Sequence, residues 1–267
     1  IFAAPAVETP GGTTRNQSSG TGPGIPVVDI MTIQGAGHWS PEEGNLVETT
    51  GIVTAVGEFD AVGLSDEFGF FLQDPAGDGD LATSDAVFVV STDAVAVGDE
   101  VTVQGIVEES GFTFFGELPY TRLQASSVSV VSSGNALPSA TLLGMGGRVP
   151  PAENIDDDAF TSFDPMTDGL DFFESIEAMR VTVQDARAVS PTSRFGEVFV
   201  VADDGEDATG ISQRGTLNIS PDDFNPEKIQ LDPGREFRGP ANFSLPDVDV
   251  GATFGNVTGV VGYDFGN

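Results

Sequence analysis

The sequence of 267 residues contains no cysteine, a single histidine (His38), a single lysine (Lys228) and a single tryptophan (Trp39). Without cysteine there are no disulfides, no thiol nucleophile, no cysteine-ligated zinc and no iron–sulfur cluster. One histidine rules out a site built from two histidines of the same chain. No Gly-Lys-Ser/Thr triplet occurs, so there is no P-loop. Positive charge is scarce: 10 Lys+Arg stand against 42 Asp+Glu, a formal net charge of −32. Such a surface repels phosphate backbones and anionic membranes, so the charge argues against a nucleic-acid partner. No apolar run is long enough to cross a bilayer as a helix, and no membrane span is expected. The opening residues, Ile1-Phe2-Ala3-Ala4-Pro5-Ala6, carry no basic n-region and read as a processed terminus.

What is present can build a core. Hydrophobic residues make up 39% of the chain and include 20 Phe, alongside 34 Gly and 17 Pro. That is not a disordered polyanion. It fits a secreted or salt-adapted globular protein, and an extracellular location is expected. Residues 8–26 are rich in Gly, Ser, Thr and Pro and read as a linker, so residues 1–27 form an N-terminal arm. From Val27 onward short Val/Ile/Phe/Thr runs are bounded by Gly, Pro and Asp, the pattern of β-strands. Strands are expected at Leu46–Val56, Phe68–Gln73, Ala86–Val90, Glu100–Glu108 and Gln124–Val131, enough for a small barrel or sandwich. Residues 134–171 read as a connector, and Asp168–Met179 as one short helix. Strands return at Arg180–Val189, Glu197–Ala202, Gly215–Ile219 and Asn256–Tyr263.

The two β regions look like copies. Val47–Val56 matches Met179–Val189. Phe68–Asp74, followed by an acidic turn, matches Phe195–Asp203. Val97-Gly98-Asp99 and the strand after it match Val250-Gly251 and the strand ending at Val261. This gives two tandem domains, 28–133 and 172–267, in an all-β chain.

These motifs resemble a known family. Asp29-Ile30, Ile33 to His38, Ser40-Pro41 and Thr50 to Val56 carry the likeness, as do Gly69 to Pro75, Gly77 to Asp80, Thr83 to Asp85 and Val97 to Val103. Phe163-Asp164-Pro165, Arg194 to Glu197 and Pro221 to Glu227 extend it into the second half. Together they resemble the tandem OB-fold-like regions of large secreted bacterial nucleases and phosphatases. In those proteins the region precedes an endonuclease/exonuclease/phosphatase domain that cleaves phosphoesters with divalent metal and a pair of histidines. The resemblance implies two OB-like barrels. It carries no catalytic residue onto this chain, because His38 stands alone and the catalytic domain would follow residue 267.

The strongest local signal for a ligand is the loop of Asp74, Asp78, Asp80 and Asp85. Four carboxylates lie within twelve residues, with glycines that let the backbone fold around an ion. Ca²⁺ is the candidate cofactor, since it takes six to eight oxygens from mixed loops. A polar turn uses the same residue types. Asp203, Asp204 and Asp207 form the corresponding turn of the second copy. The connector carboxylates Asp156, Asp157, Asp158, Asp164 and Asp168 read as a solvated linker. Phe112, Phe114, Phe115 and Tyr120 offer aromatic surface of the kind OB-folds use on single strands, but Arg122 is the only cation near them. His38-Trp39 reads as a packed loop anchor.

Two functions follow. One is a non-catalytic extracellular structural module that associates with itself, through an open strand edge and an apolar arm. The interface candidates are Ile1, Phe2 and Val7 at one end and Tyr263 and Phe265 at the other, and contacts of that kind make filaments when they do not close. The other is an accessory region that positions a metal-dependent nuclease or phosphatase domain lying outside this chain.

Overall fold

A computed structural model of the chain describes residues 24–59, 67–111, 118–232 and 245–262. The chain is all-β, with two short α-helices. Helix α1 (Ile30–Gln34) precedes strands β1 (Leu46–Phe59), β2 (Glu67–Gln73), β3 (Ala86–Val90), β4 (Glu100–Ser110) and β5 (Tyr120–Ser132). Then come β6 (Thr141–Leu143), α2 (Gly169–Glu174), β7 (Arg180–Ala188), β8 (Val198–Val201), a 3₁₀ turn (Asp203–Gly205), β9 (Ile229–Leu231) and β10 (Thr253–Val260).

The first five strands close into a barrel in the order β1-β2-β3-β5-β4. β1 is long enough to serve two neighbours. Its first half pairs with β4 (Leu46 opposite Ile106), and its second half pairs with β2 (Phe59 opposite Glu67). A bulge between Val53 and Ala55 turns it from one to the other. A parallel pairing of β3 with β5 closes the ring. β4 alternates between buried and half-exposed positions, the period of a strand with one covered face. Val47, Val53, Phe70, Leu72, Val87, Val89, Val101, Val103, Val107 and Leu123 fill the interior, joined by Ile30 and Ile33 of α1. A small closed barrel of five strands therefore stands within the stretch read as the first OB-like domain.

The second unit repeats the plan and stays open as a half-barrel. Its sheet runs β10-β7-β8-β9, with β6 parallel to β7 beside β8. β7 takes the place of β1, pairing antiparallel with β8 and β10 as β1 does with β2 and β4. The turns before β4 and β10 agree bond for bond. Gly98 (φ +87°) donates its N–H to Val53 O at 2.9 Å, and Val53 N donates to Asp99 O at 2.8 Å. Gly251 (φ +88°) donates to Ala188 O at 2.8 Å, and Ala188 N donates to Ala252 O at 2.8 Å. Both turns need a left-handed residue, and glycine takes that conformation without a Cβ penalty.

The sequence-based boundaries shift in several places. The expected strand at Gly215–Ile219 is a tight loop: Gly215 N donates to Ser212 O at 2.9 Å, and Leu217 forms only an isolated bridge to Ile211. The third strand of this sheet is Ile229–Leu231 instead. The segment Asp168–Met179 holds the one short helix expected of it, at Gly169–Glu174. The stretch 134–171 supplies β6 and the first three residues of α2, and Leu143 of β6 lies in a core shared with β7 and β8.

That core joins the two units. Phe71, Ala86, Phe88 and Tyr120 of the barrel's outer face pack with Phe172, Ile176, Met179, Val181, Val183, Val198 and Val200 of the second unit. β2 and β3 are therefore buried on both faces, which explains their unbroken apolar runs. Because the units share one core, chemical unfolding is expected to follow a single cooperative transition. Phe88→Ala should lower the midpoint of that transition by the equivalent of about 3–5 kcal/mol. Two separate transitions would show that the seam does not couple the units.

Candidate functional site

The polar residues that converge most closely lie on the seam between the units. Glu177 follows α2 in a turn held by Ala178 at φ +60°, a strained conformation for a residue with a Cβ. Its side chain is buried and receives Thr121 N at 3.1 Å and Gln34 Nε2 at 3.2 Å, both from the barrel. Its carbonyl accepts Ser84 Oγ at 2.5 Å. Gln34 Nε2 also donates to Ala86 O at 2.6 Å, and Arg180 N donates to Gln73 Oε1 at 2.9 Å. Beside this, His38 Nε2 lies 2.6 Å from Asp171 Oδ1, while Asp171 Oδ2 accepts Asp164 N at 2.5 Å. Phe160 and Phe163 meet the His38 ring edge-on at 5.4 and 5.2 Å. His38 is thus a buried anchor between units, whereas Trp39, read with it as a packed loop anchor, is 52% exposed.

The seam concentrates carboxyl groups away from water. Burial pushes the Glu177 carboxyl up to about 8, with Glu109 adding to the rise and Gln34 and Thr121 opposing it. Burial, then the charges of Glu177, Glu109 and Asp171, push Glu174 well above the usual carboxylate range. Glu109 is raised by burial as well; its Oε1 accepts Ser40 N at 2.6 Å and Thr121 Oγ1 at 3.0 Å. Sequence reasoning did not single out these residues. The signal was present, since Asp171, Glu174 and Glu177 recur every third position in an apolar segment.

A second feature is an acidic cleft of about 540 Å³ lined by Met145, Gln184, Asp185, Asp203, Asp204 and Glu206. Asp185 sits at an irregularity in the pairing of β7 with β10, at φ +40°, and Asp203 and Asp204 are at φ +53° and +52°. The Asp203 carboxylate accepts Met145 N at 2.6 Å and Gln184 Nε2 at 2.9 Å. It lies so close to Gly144 that a Cβ there would fall 2.6 Å from Asp203 Oδ2.

The residues proposed as Ca²⁺ ligands are used one at a time. Asp74 Oδ1 accepts Ala76 N at 2.8 Å and Gly77 N at 2.9 Å. Asp78 Oδ1 accepts Asp80 N at 2.8 Å, and Asp80 Oδ1 accepts Ala82 N at 3.0 Å. These are side-chain caps on local turns. Asp85 packs against Gly77, and its carboxyl is raised by burial and by Asp78 and Asp74. Asp204 lies 3.6 Å from Arg187 Nη1, and Asp207 follows the same turn. Among the described residues no three His, Cys, Asp or Glu side chains are grouped to hold a metal ion. The interface candidates Ile1, Phe2, Val7, Tyr263 and Phe265 lie outside the described residues, as do Phe112, Phe114 and Phe115. No helix among the described residues is long and apolar enough to cross a membrane.

Residues 142–267 match the model of a family described as a domain of unknown function (DUF8508). The match opens within β6 and takes in α2 and the rest of the second sheet. No curated protein matches the chain.

The seam carboxyls make stability depend on pH in an unusual direction. Glu177 binds its proton more tightly folded than unfolded, so its contribution is full below about pH 4.5 and is lost as pH rises toward about 8. Glu174 and Glu109 are displaced in the same direction. The thermal midpoint is therefore expected to fall between pH 5 and pH 8.5 at constant salt. Glu177→Gln, which keeps the shape and cannot ionise, should remove a large part of that slope. An unchanged slope would mean that Glu177 ionises freely in the folded protein.

Proposed function

We propose that this chain is a non-catalytic extracellular module that works by association, joining copies of itself end to end. The observation that supports this most directly is the contrast between its two units. The first closes into a ring and leaves no strand edge. The second, built to the same plan, is an open sheet in which β10 has one neighbouring strand among the described residues. An open edge presents unpaired N–H and C=O groups that pair with an incoming strand. The buried polar groups His38 and Glu177 hold the units together. Rigidity of that kind suits a repeating structural element. Ca²⁺ at the loops of Asp74–Asp85 and Asp203–Asp207 belongs to the same proposal, as a stabiliser of exposed turns.

The test is the light-scattering mass of residues 1–267 beside a variant lacking residues 1–26. Particles much larger than the 27.7 kDa chain that disappear in the shortened variant would support a donor arm filling the open edge. A monomer in both would end the self-association reading and favour the alternative, an accessory region that positions a nuclease or phosphatase domain. Repeating the measurement in excess chelator separates Ca²⁺-dependent assembly from assembly that needs no metal.

A further inference from the structure

The segment 202–228, between β8 and β9, holds a buried group of oxygen atoms that has more acceptors than protons to share. Its sequence includes Asp223-Phe224-Asn225-Pro226-Glu227, with oxygen-bearing side chains at alternate positions. Thr209 is the hub. Its N–H donates to Glu227 Oε1 at 3.0 Å. Its hydroxyl lies 2.7 Å from Asp223 Oδ2 and 3.0 Å from the main-chain oxygen of Ala152. A hydroxyl has one proton, so it shares that proton between two acceptors or faces one of them with a lone pair.

Asn225 and Glu227 are 3% and 5% exposed. The Asn225 amide orientation is fixed chemically, since Nδ2 donates to two acceptors, Asp223 Oδ1 at 3.1 Å and Asn218 O at 3.3 Å. That leaves Asn225 Oδ1 buried with no hydrogen-bond partner, and Glu227 Oε2 is in the same position. A buried oxygen without a partner is costly, and each of these two calls for a donor or a cation. The basic side chain next in sequence, Lys228, has its Nζ 4.6 Å from the Phe199 ring centre.

We propose that Asp223, Asn225 and Glu227, with Thr209 and the carbonyls of Ala152 and Asn218, form a binding site for one divalent cation of the calcium class. Hard cations of this size take six to eight oxygens from carboxylates, amides, carbonyls and hydroxyls, and this cluster supplies that mixture. Binding would tie the ends of segment 202–228 to each other and to residue 152. The site is separate from the exposed loops of Asp74–Asp85 and Asp203–Asp207, and it does not depend on self-association.

The experiment is calorimetric titration of the full chain with calcium chloride, with thermal unfolding in parallel, on wild type, Glu227→Gln and the double variant Asp78→Asn/Asp80→Asn. Glu227→Gln removes a buried charge and is expected to fold at least as well as wild type without metal. Wild type should bind Ca²⁺ and gain several degrees in thermal midpoint. Glu227→Gln should bind one ion fewer per chain and lose most of that gain, while the double variant keeps this site. Three results would overturn the proposal: no heat and no thermal shift at millimolar Ca²⁺, equal stoichiometry in wild type and Glu227→Gln, or a thermal gain retained in Glu227→Gln and lost in the loop variant.

Discussion

Phe70 and Leu72 point into the barrel, Phe71 between them points out of it, and both sides are buried. β3 repeats the arrangement, with Val87 and Val89 inward and Ala86 and Phe88 outward. A small barrel needs only its interior filled. Here two adjacent strands are also apolar on their outer face, so the first unit cannot stand alone without exposing Phe71, Phe88 and Tyr120. A patch of that size on a free surface drives association. The second unit covers it with α2, the turn at Ile176–Met179 and the start of β7.

Acidity shapes the rest. With 42 acidic residues in 267, some carboxyls have to meet the core-forming surfaces. The half-buried Asp74 and the exposed Asp78 and Asp80 cap the backbone of their own turns. Among the described residues no arginine or lysine pairs with Glu177 at the seam; amide donors from Gln34 and Thr121 meet it instead. Neutral donors offset only part of the cost of burying a charge, so the carboxyl is pushed up to about 8. The seam is therefore held by hydrophobic contact and by hydrogen bonds to a group that is largely neutral. That is compatible with a highly charged exterior, since the interior adds little to the repulsion.

The strands of the first barrel were legible because Val, Ile, Phe and Thr runs are punctuated by Gly and Asp, and β1 to β4 stand within a few residues of their expected places. The internal duplication was legible too, down to Gly98 and Gly251, whose turns share the same hydrogen bonds. Shorter elements were not. α1 has five residues and β6 three, too few to show a period. Gly215–Ile219 has strand composition, yet Gly215 turns the chain before a ladder can form, and the pairing passes to Ile229–Leu231. The acidic loops were read from composition, which does not distinguish oxygens that converge from oxygens that cap successive turns. The seam pairs were the hardest to see: His38 and Asp171 are separated by 133 positions, and Gln34 and Glu177 by 143. Only the docking of two finished units brings them together.

The same plan solved twice shows where the second copy departs. β2 joins β3 through residues 74–85, a loop short enough to be held by side-chain caps. β8 joins β9 through residues 202–228, more than twice as long, and connections beyond about 12–15 residues without secondary structure of their own are uncommon in compact domains. This one holds its shape with a 3₁₀ turn, two isolated bridges and the cluster around Thr209. Closing such a loop costs entropy that a few weak bridges do not obviously offset. A buried group of carboxylate, amide and carbonyl oxygens is a poor clasp by itself, because its members repel. With a cation among them the repulsion becomes the binding energy, and this long excursion acquires a fastening in place of a core.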